Sequence, residues 1–172
     1  KDNLLKIFIY FCILSFVLFL LLNISEVRLF NSLNLSMTLI SAGGFLPTDS
    51  LVNIISSNFQ KIVFIFSLLI TMLNFYLVFN IFNKKILIRD HKEDFYIILL
   101  SLIFILLIYF NNNSALDITL SVISSLSNSG LTLIETESNL SLYFLFITII
   151  GGSLISNTSG IKLTRFYILL KI

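Results

Sequence analysis

Two short stretches hold the residues best suited to chemistry: Ser41-Ala42-Gly43-Gly44 and Ser127-Asn128-Ser129-Gly130. They are small and uncharged. What they offer is oxygen, from hydroxyls and from backbone carbonyls that glycine can turn in directions other residues resist. A cation leaving water needs its hydration shell replaced, and membrane channels do this with rings of backbone carbonyls. Each stretch closes a short apolar segment. If that segment is a helix, its carboxyl end carries partial negative charge, which favours a cation. Asp49, Glu135 and Glu137 follow just beyond and would concentrate cations at the mouth. Glycine also ends ordinary helices. Gly44 and Gly130, however, lie 86 positions apart, and the same offset superposes the long apolar runs around them. The two turns therefore hold one place in an internal repeat.

Such turns must be positioned by helices in a membrane. The chain is 57% hydrophobic and 12% charged, with a mean hydropathy of +1.01, which is more apolar surface than one soluble core could hide. A crossing takes roughly 20 apolar residues in a helix. Four runs serve: Ile7 to Leu22, Phe59 to Phe82, Phe95 to Tyr109 (which can begin at Asp94), and Leu142 to Leu170, broken in its middle. Leu29 to Ile40 lies between the first two, and Leu116 to Leu126 between the last two. At 1.5 Å per residue each spans roughly 18 Å, against a hydrocarbon core of roughly 30 Å. A short apolar helix that enters without crossing is re-entrant, and its turn must be buried in protein or line water. The expected fold is an all-α membrane protein of two helix–pore helix–helix repeats, 1–86 and 87–172, with four crossings and two re-entrant pore helices.

The break in the fourth run is Gly151 to Gly160, with three glycines and five polar residues, after which Ile161 and Lys162 resume the helix. Non-helical backbone at that depth is tolerated only beside a cavity. A loop of Gly151, Gly152, Ser156, Asn157, Thr158 and Gly160 crossing the path below the two turns could act as a gate. Small residues also make helix-packing faces, and that reading stays open. Lys162 either snorkels toward the interface or sets a positive charge beside the ion path and opposes conduction.

Charge sets the orientation. The side holding both ends of the segment and the loop 83–94 carries nine Lys and Arg against four acids, while the other carries two against five. The basic side is cytoplasmic by the positive-inside rule, so both glycine turns face outward toward an acidic mouth. Lys1 and Lys6 precede the first run as in a signal peptide, but no small-residue cleavage site follows, so a membrane helix is expected there. Position 1 is not Met, and the chain is expected to be an internal piece of something longer. Cys12, the single cysteine, sits in an apolar run and reads as packing. His91, the single histidine, lies in the cytoplasmic loop, and no cluster of acid, His or Cys lies at membrane depth to act as base, nucleophile or metal site. Neither enzymatic activity, a covalent cofactor nor a nucleic-acid partner is expected.

These residues resemble the TrkH/KtrB/HKT superfamily of potassium uptake proteins, most nearly the second and third repeats of its TrkH branch. Ser41-Ala42-Gly43-Gly44-Phe45-Leu46-Pro47-Thr48-Asp49 looks like the second filter, and Ser127-Asn128-Ser129-Gly130-Leu131-Thr132 like the third. Gly151 to Gly160 followed by Ile161-Lys162-Leu163-Thr164-Arg165 looks like the glycine-rich loop and basic helix of the third repeat, and Lys92-Glu93-Asp94-Phe95 like the start of its first helix. The resemblance implies four repeats around one pore, of which two are present here, with Gly44 and Gly130 as filter glycines and 151–160 as the intramembrane gate. It implies potassium transport across the plasma (inner) membrane, with K+ held by the filter backbone. It implies a homodimer in the lipid bilayer and a cytoplasmic nucleotide-binding regulatory subunit of the TrkA/KtrA type. Ile155, Thr158 and Ser159 stand where the family prefers glycine, and Asn128-Ser129 departs from its Thr-rich third filter. Two alternatives stay open: a self-contained two-repeat cation channel that dimerises, and a small-molecule secondary transporter whose substrate binds at the broken helix.

Overall fold

The computed structural model describes residues 2–73, 92–109, 114–133 and 138–171. Its elements are α1 (Asp2–Ile24), α2 (Leu29–Ser41), a 3-10 turn at Leu51–Asn53, α3 (Asn58–Met72), α4 (Lys92–Tyr109), α5 (Ala115–Leu126), α6 (Ser138–Ile150) and α7 (Leu163–Lys171). Among the described residues there is no strand.

The local reasons for these elements lie in the sequence. Ser57-Asn58-Phe59-Gln60 starts α3 with a capping box: the Gln60 N–H donates to Ser57 Oγ at 3.2 Å, and the Ser57 N–H to Gln60 Oε1 at 3.2 Å. Most serines inside the two short helices return their hydroxyls to the preceding turn, as Ser36 does to Leu33 O at 2.8 Å and Ser125 to Ser121 O at 2.8 Å. They thereby become small apolar-compatible surfaces in a buried helix. α2 stops where Ala42 turns left-handed, at φ 50° and ψ 36°, with its N–H on Thr38 O.

Packing centres on α5. Leu120 and Ile123 join Leu18 and Leu22 of α1, Leu35 and Leu39 of α2, and Phe64 and Leu68 of α3 in one apolar cluster. Ile118, Val122 and Leu126 join Ile97 and Ile108 of α4 and Phe144 and Ile147 of α6 in a second. One helix of 12 residues thus contributes to both cores, and every residue from Leu120 to Ser127 is buried. The opposite holds for α1 and α4. Phe8, Phe11, Ile13 and Phe16 on α1, and Phe95, Leu102, Leu106 and Leu107 on α4, are all exposed.

Among the described residues no helix is long and apolar enough to cross a membrane. α4 opens on Lys92, Glu93 and Asp94, and the last expected crossing is divided between α6 and α7. The second expected crossing, Phe59 to Phe82, is helical to Met72; Leu73 is then extended, and the remainder lies outside the described residues. So do most of the loop 83–94, with His91, and the acids Glu135 and Glu137. The short helices match their expected spans to within one residue at each end.

Candidate functional site

The two turns have one backbone. Ala42 and Asn128 are left-handed at φ 50° and 57°, and Gly44 and Gly130 follow at 68° and 66°. Gly43 N–H bonds Thr38 O at 3.1 Å, and Ser129 N–H bonds Ser124 O at 3.1 Å. Each of these pairs is separated by the 86-residue offset. Left-handed backbone is costly for residues with a Cβ, least so for Asn. Its appearance at Ala42 shows that the turn dictates the conformation and the residue complies.

The turns also meet. A Cβ on Gly44 would stand 2.5 Å from the carbonyl oxygen of Ser129, closer than any side chain tolerates. The close approach of one turn to a carbonyl of the other is the geometric reason for glycine here. Gly130 has no such neighbour: nothing lies within 4 Å of where its Cβ would be.

Their surroundings differ. In the second turn Ser127 and Ser129 are buried, and their hydroxyls approach each other at 3.0 Å, with Ser124 Oγ 3.0 Å from Ser129 Oγ. In the first turn Ser41 and Gly43 are exposed, and Ser41 Oγ donates back to Met37 O at 2.9 Å. Thr38 Oγ1 donates to Phe45 O at 2.7 Å and so holds the exit of the turn. Outside the turns, Lys61 Nζ on α3 meets Asp117 Oδ1 on α5 at 2.6 Å and links the two helices. Burial pushes the Asp117 carboxyl up, but the Lys61 and Ser114 hydrogen bonds and the Lys61 charge outweigh it, leaving it below its usual range.

The loop between α6 and α7 is pinched at its neck. Ile161 N–H bonds Ile149 O, and Lys162 N–H bonds Ile150 O, both at 2.9 Å. Gly151 and Gly160 face each other there: a Cβ on Gly160 would lie 2.9 Å from the Gly151 Cα and 3.1 Å from Asn128 Nδ2. Asn128 thus brings the second turn onto the neck of the loop. Its buried Nδ2 finds no hydrogen-bond partner among the described residues. Within the loop, Gly152 N–H donates to Thr158 Oγ1 at 3.1 Å, and Ser156 Oγ lies 2.7 Å from Thr158 Oγ1. Asn157 is half-buried.

Sequence reasoning missed what anchors the loop. Glu93, at the end of the loop 83–94, accepts from Leu154 N–H at 3.0 Å with one carboxylate oxygen and from Thr164 N–H at 3.2 Å with the other. Met72 O, free because Leu73 leaves the helix, accepts from Ser153 N–H at 3.2 Å. Both contacts span more than sixty residues, and neither has a local signature.

No family model matches the chain. A protein of Methanocaldococcus jannaschii, named as an uncharacterized cation transporter, is 31% identical over 158 residues, which are 88% of this chain and 32% of that protein. The crystal structure of the potassium transporter TrkH from Vibrio parahaemolyticus superposes with a TM-score of 0.76 at 21% identity, over 98% of this chain and 39% of that one. The chain therefore shares the fold of that TrkH structure. The chain spans about a third of the length of the archaeal relative and about two fifths of the TrkH chain.

Proposed function

We propose that this TrkH-like chain supplies two repeats of a pore, 1–86 and 87–172, that carries potassium across a membrane as the pore-forming part of a Trk-type uptake system. The turns 41–44 and 127–130 are the filter, with carbonyl and hydroxyl oxygens replacing the water of the ion. No covalent chemistry and no cofactor take part. The observation that carries this reading is the apposition of Gly44 to Ser129 O by two turns of matching left-handed backbone. That is how neighbouring members of a ring sit around an axis. The open side of Gly130 is where a further turn of the same kind would sit. This supports a ring completed by more repeats, from the same polypeptide or from a second copy. The exposed apolar side chains of α1 and α4 support a lipid-facing exterior, with the turns facing outward and loop 83–94 in the cytoplasm of a plasma-membrane protein. A homodimer and a cytoplasmic nucleotide-binding subunit of the TrkA/KtrA type complete the proposal.

The test is growth. In a strain unable to take up potassium, the protein expressed from its gene restores growth at low potassium, and Gly44→Val or Gly130→Val removes that ability while membrane abundance stays the same. Wild-type growth with both substitutions would remove the filter assignment. Unchanged transport in those variants, lost instead on blocking the break at 151–160, would favour a secondary transporter that binds its substrate there.

A further inference from the structure

We propose that the loop between α6 and α7 is itself a monovalent-cation site, filled in this structure by the chain's own Lys162 ammonium group. The proposal rests on the reading of the chain as a cation pore.

Lys162 is buried and reaches back into the loop. Its Nζ donates to Thr158 O, to Thr158 Oγ1 at 3.0 Å and to Ser156 Oγ at 3.1 Å. An ammonium group has three N–H donors and no acceptor, so three oxygens satisfy it fully. No carboxylate is among them. Buried lysines are ordinarily paired with acids, yet Glu93 gives its two oxygens to the backbone amides of Leu154 and Thr164.

The hydroxyl protons decide what kind of site this is. Ser156 Oγ donates its proton to Ser153 O at 2.7 Å, so in its contact with Thr158 Oγ1 the threonine must be the donor. Both hydroxyl protons are therefore committed elsewhere, and both oxygens turn only lone pairs toward the ammonium. Thr158 O adds a carbonyl. Gly152 N–H and the Ser156–Thr158 contact hold this arrangement without any help from the lysine. A set of lone pairs fixed around one point, with no carboxylate among them and the Glu93 charge acting only from a distance, is what a large monovalent cation such as potassium or ammonium needs.

The backbone at Lys162 shows that the seating is imposed. Its φ is +76°, a left-handed value that a lysine adopts only when its surroundings force it. The neck bonds from Ile161 and Lys162 to Ile149 O and Ile150 O provide that force. A permeating cation and the Lys162 ammonium group exclude each other, so the lysine is a tethered competitor at a site just beneath the second turn.

The experiment uses the protein expressed from its gene, purified into liposomes, with thallium flux as one readout and heavy-ion density in a determined structure as the other. Lys162→Met keeps the stem and removes the charge. The expected result is resting flux raised roughly tenfold, with thallium between Ser156 Oγ, Thr158 Oγ1 and Thr158 O. Adding Ser156→Ala to that variant should then remove the density. If Lys162→Met does not fold, Lys162→Gln, which removes the charge and keeps a polar stem, should raise resting flux at least twofold, since no ammonium then competes for the three oxygens. Wild-type flux in these variants with no ion in the loop overturns the site and leaves the pore reading standing. A wild-type protein that carries no thallium overturns both.

Discussion

The two turns are copies in backbone and opposites in setting. Ala42 and Gly44 repeat the angles of Asn128 and Gly130. Yet Phe45, next to the first turn, is 79% exposed, whereas Ser127 and Ser129 of the second are 2% exposed. The first turn touches the second through Gly44, and the second touches the loop through Asn128. Backbone is thus shared by the two turns, while environment is set by which neighbours the rest of the fold brings. The lesson is that equivalent glycines are not equally replaceable.

The comparison breaks most sharply at the glycines. Gly44→Ala combines a left-handed backbone with a collision against Ser129 O and should cost about 3 kcal/mol or more. Gly130→Ala meets open space and should cost only about 1–2 kcal/mol from backbone strain. Thermal unfolding in detergent reads both, and equal costs would show that the turns do not meet. The left-handed positions give a smaller effect of opposite sign. Ala42→Gly should stabilise by about 1 kcal/mol, and Asn128→Gly by less, because Asn tolerates that conformation.

Thr38→Val tests what holds the first turn alone. Loss of the bond to Phe45 O should cost about 1 kcal/mol and raise the potassium concentration needed for half-maximal uptake. A substitution that leaves both unchanged would show that Thr38 does not shape the turn. The smallest effect is at the ion pair between α3 and α5. Asp117→Asn should cost about 0.5 kcal/mol at neutral pH, because the pair is partly exposed. The carboxyl is depressed in the folded state, so its contribution is present above its ordinary value of 3.8 and lost as pH falls through the lower folded value. Melting of wild type and Asp117→Asn should therefore differ at pH 7 and converge below pH 3.8. A difference that persists in acid would show that packing, not charge, is at stake.

Much of this arrangement is legible in the sequence, because much of it is local. Leu29 to Ile40 and Leu116 to Leu126 read as short helices, since apolar length and the following small residues bound them, and the observed ends agree. The break at Gly151 is equally plain, although it runs two residues further, to Lys162, where the neck bonds close. The end of α3 was not legible. Leu73 to Phe82 contains no glycine or proline, so nothing in its composition stops a helix at Met72. Met72 O instead serves Ser153 N–H, a contact that exists only once the fold has formed. Glu93 is the same case: a charge that reads as solvated is taken up by two amides from the far end of the chain. Asn128 was legible as a turn residue but not as a contact of the loop, because its side chain's surroundings come from 151 and 160.

The most direct test of the account is rubidium flux into liposomes holding the purified protein, compared with folded Gly44→Val and Gly130→Val variants. The account predicts flux through the wild type that saturates with rubidium and competes with potassium, and that either substitution reduces to the rate of empty liposomes. Flux through both variants at the wild-type rate would mean that the two apposed turns do not line the path of the ion.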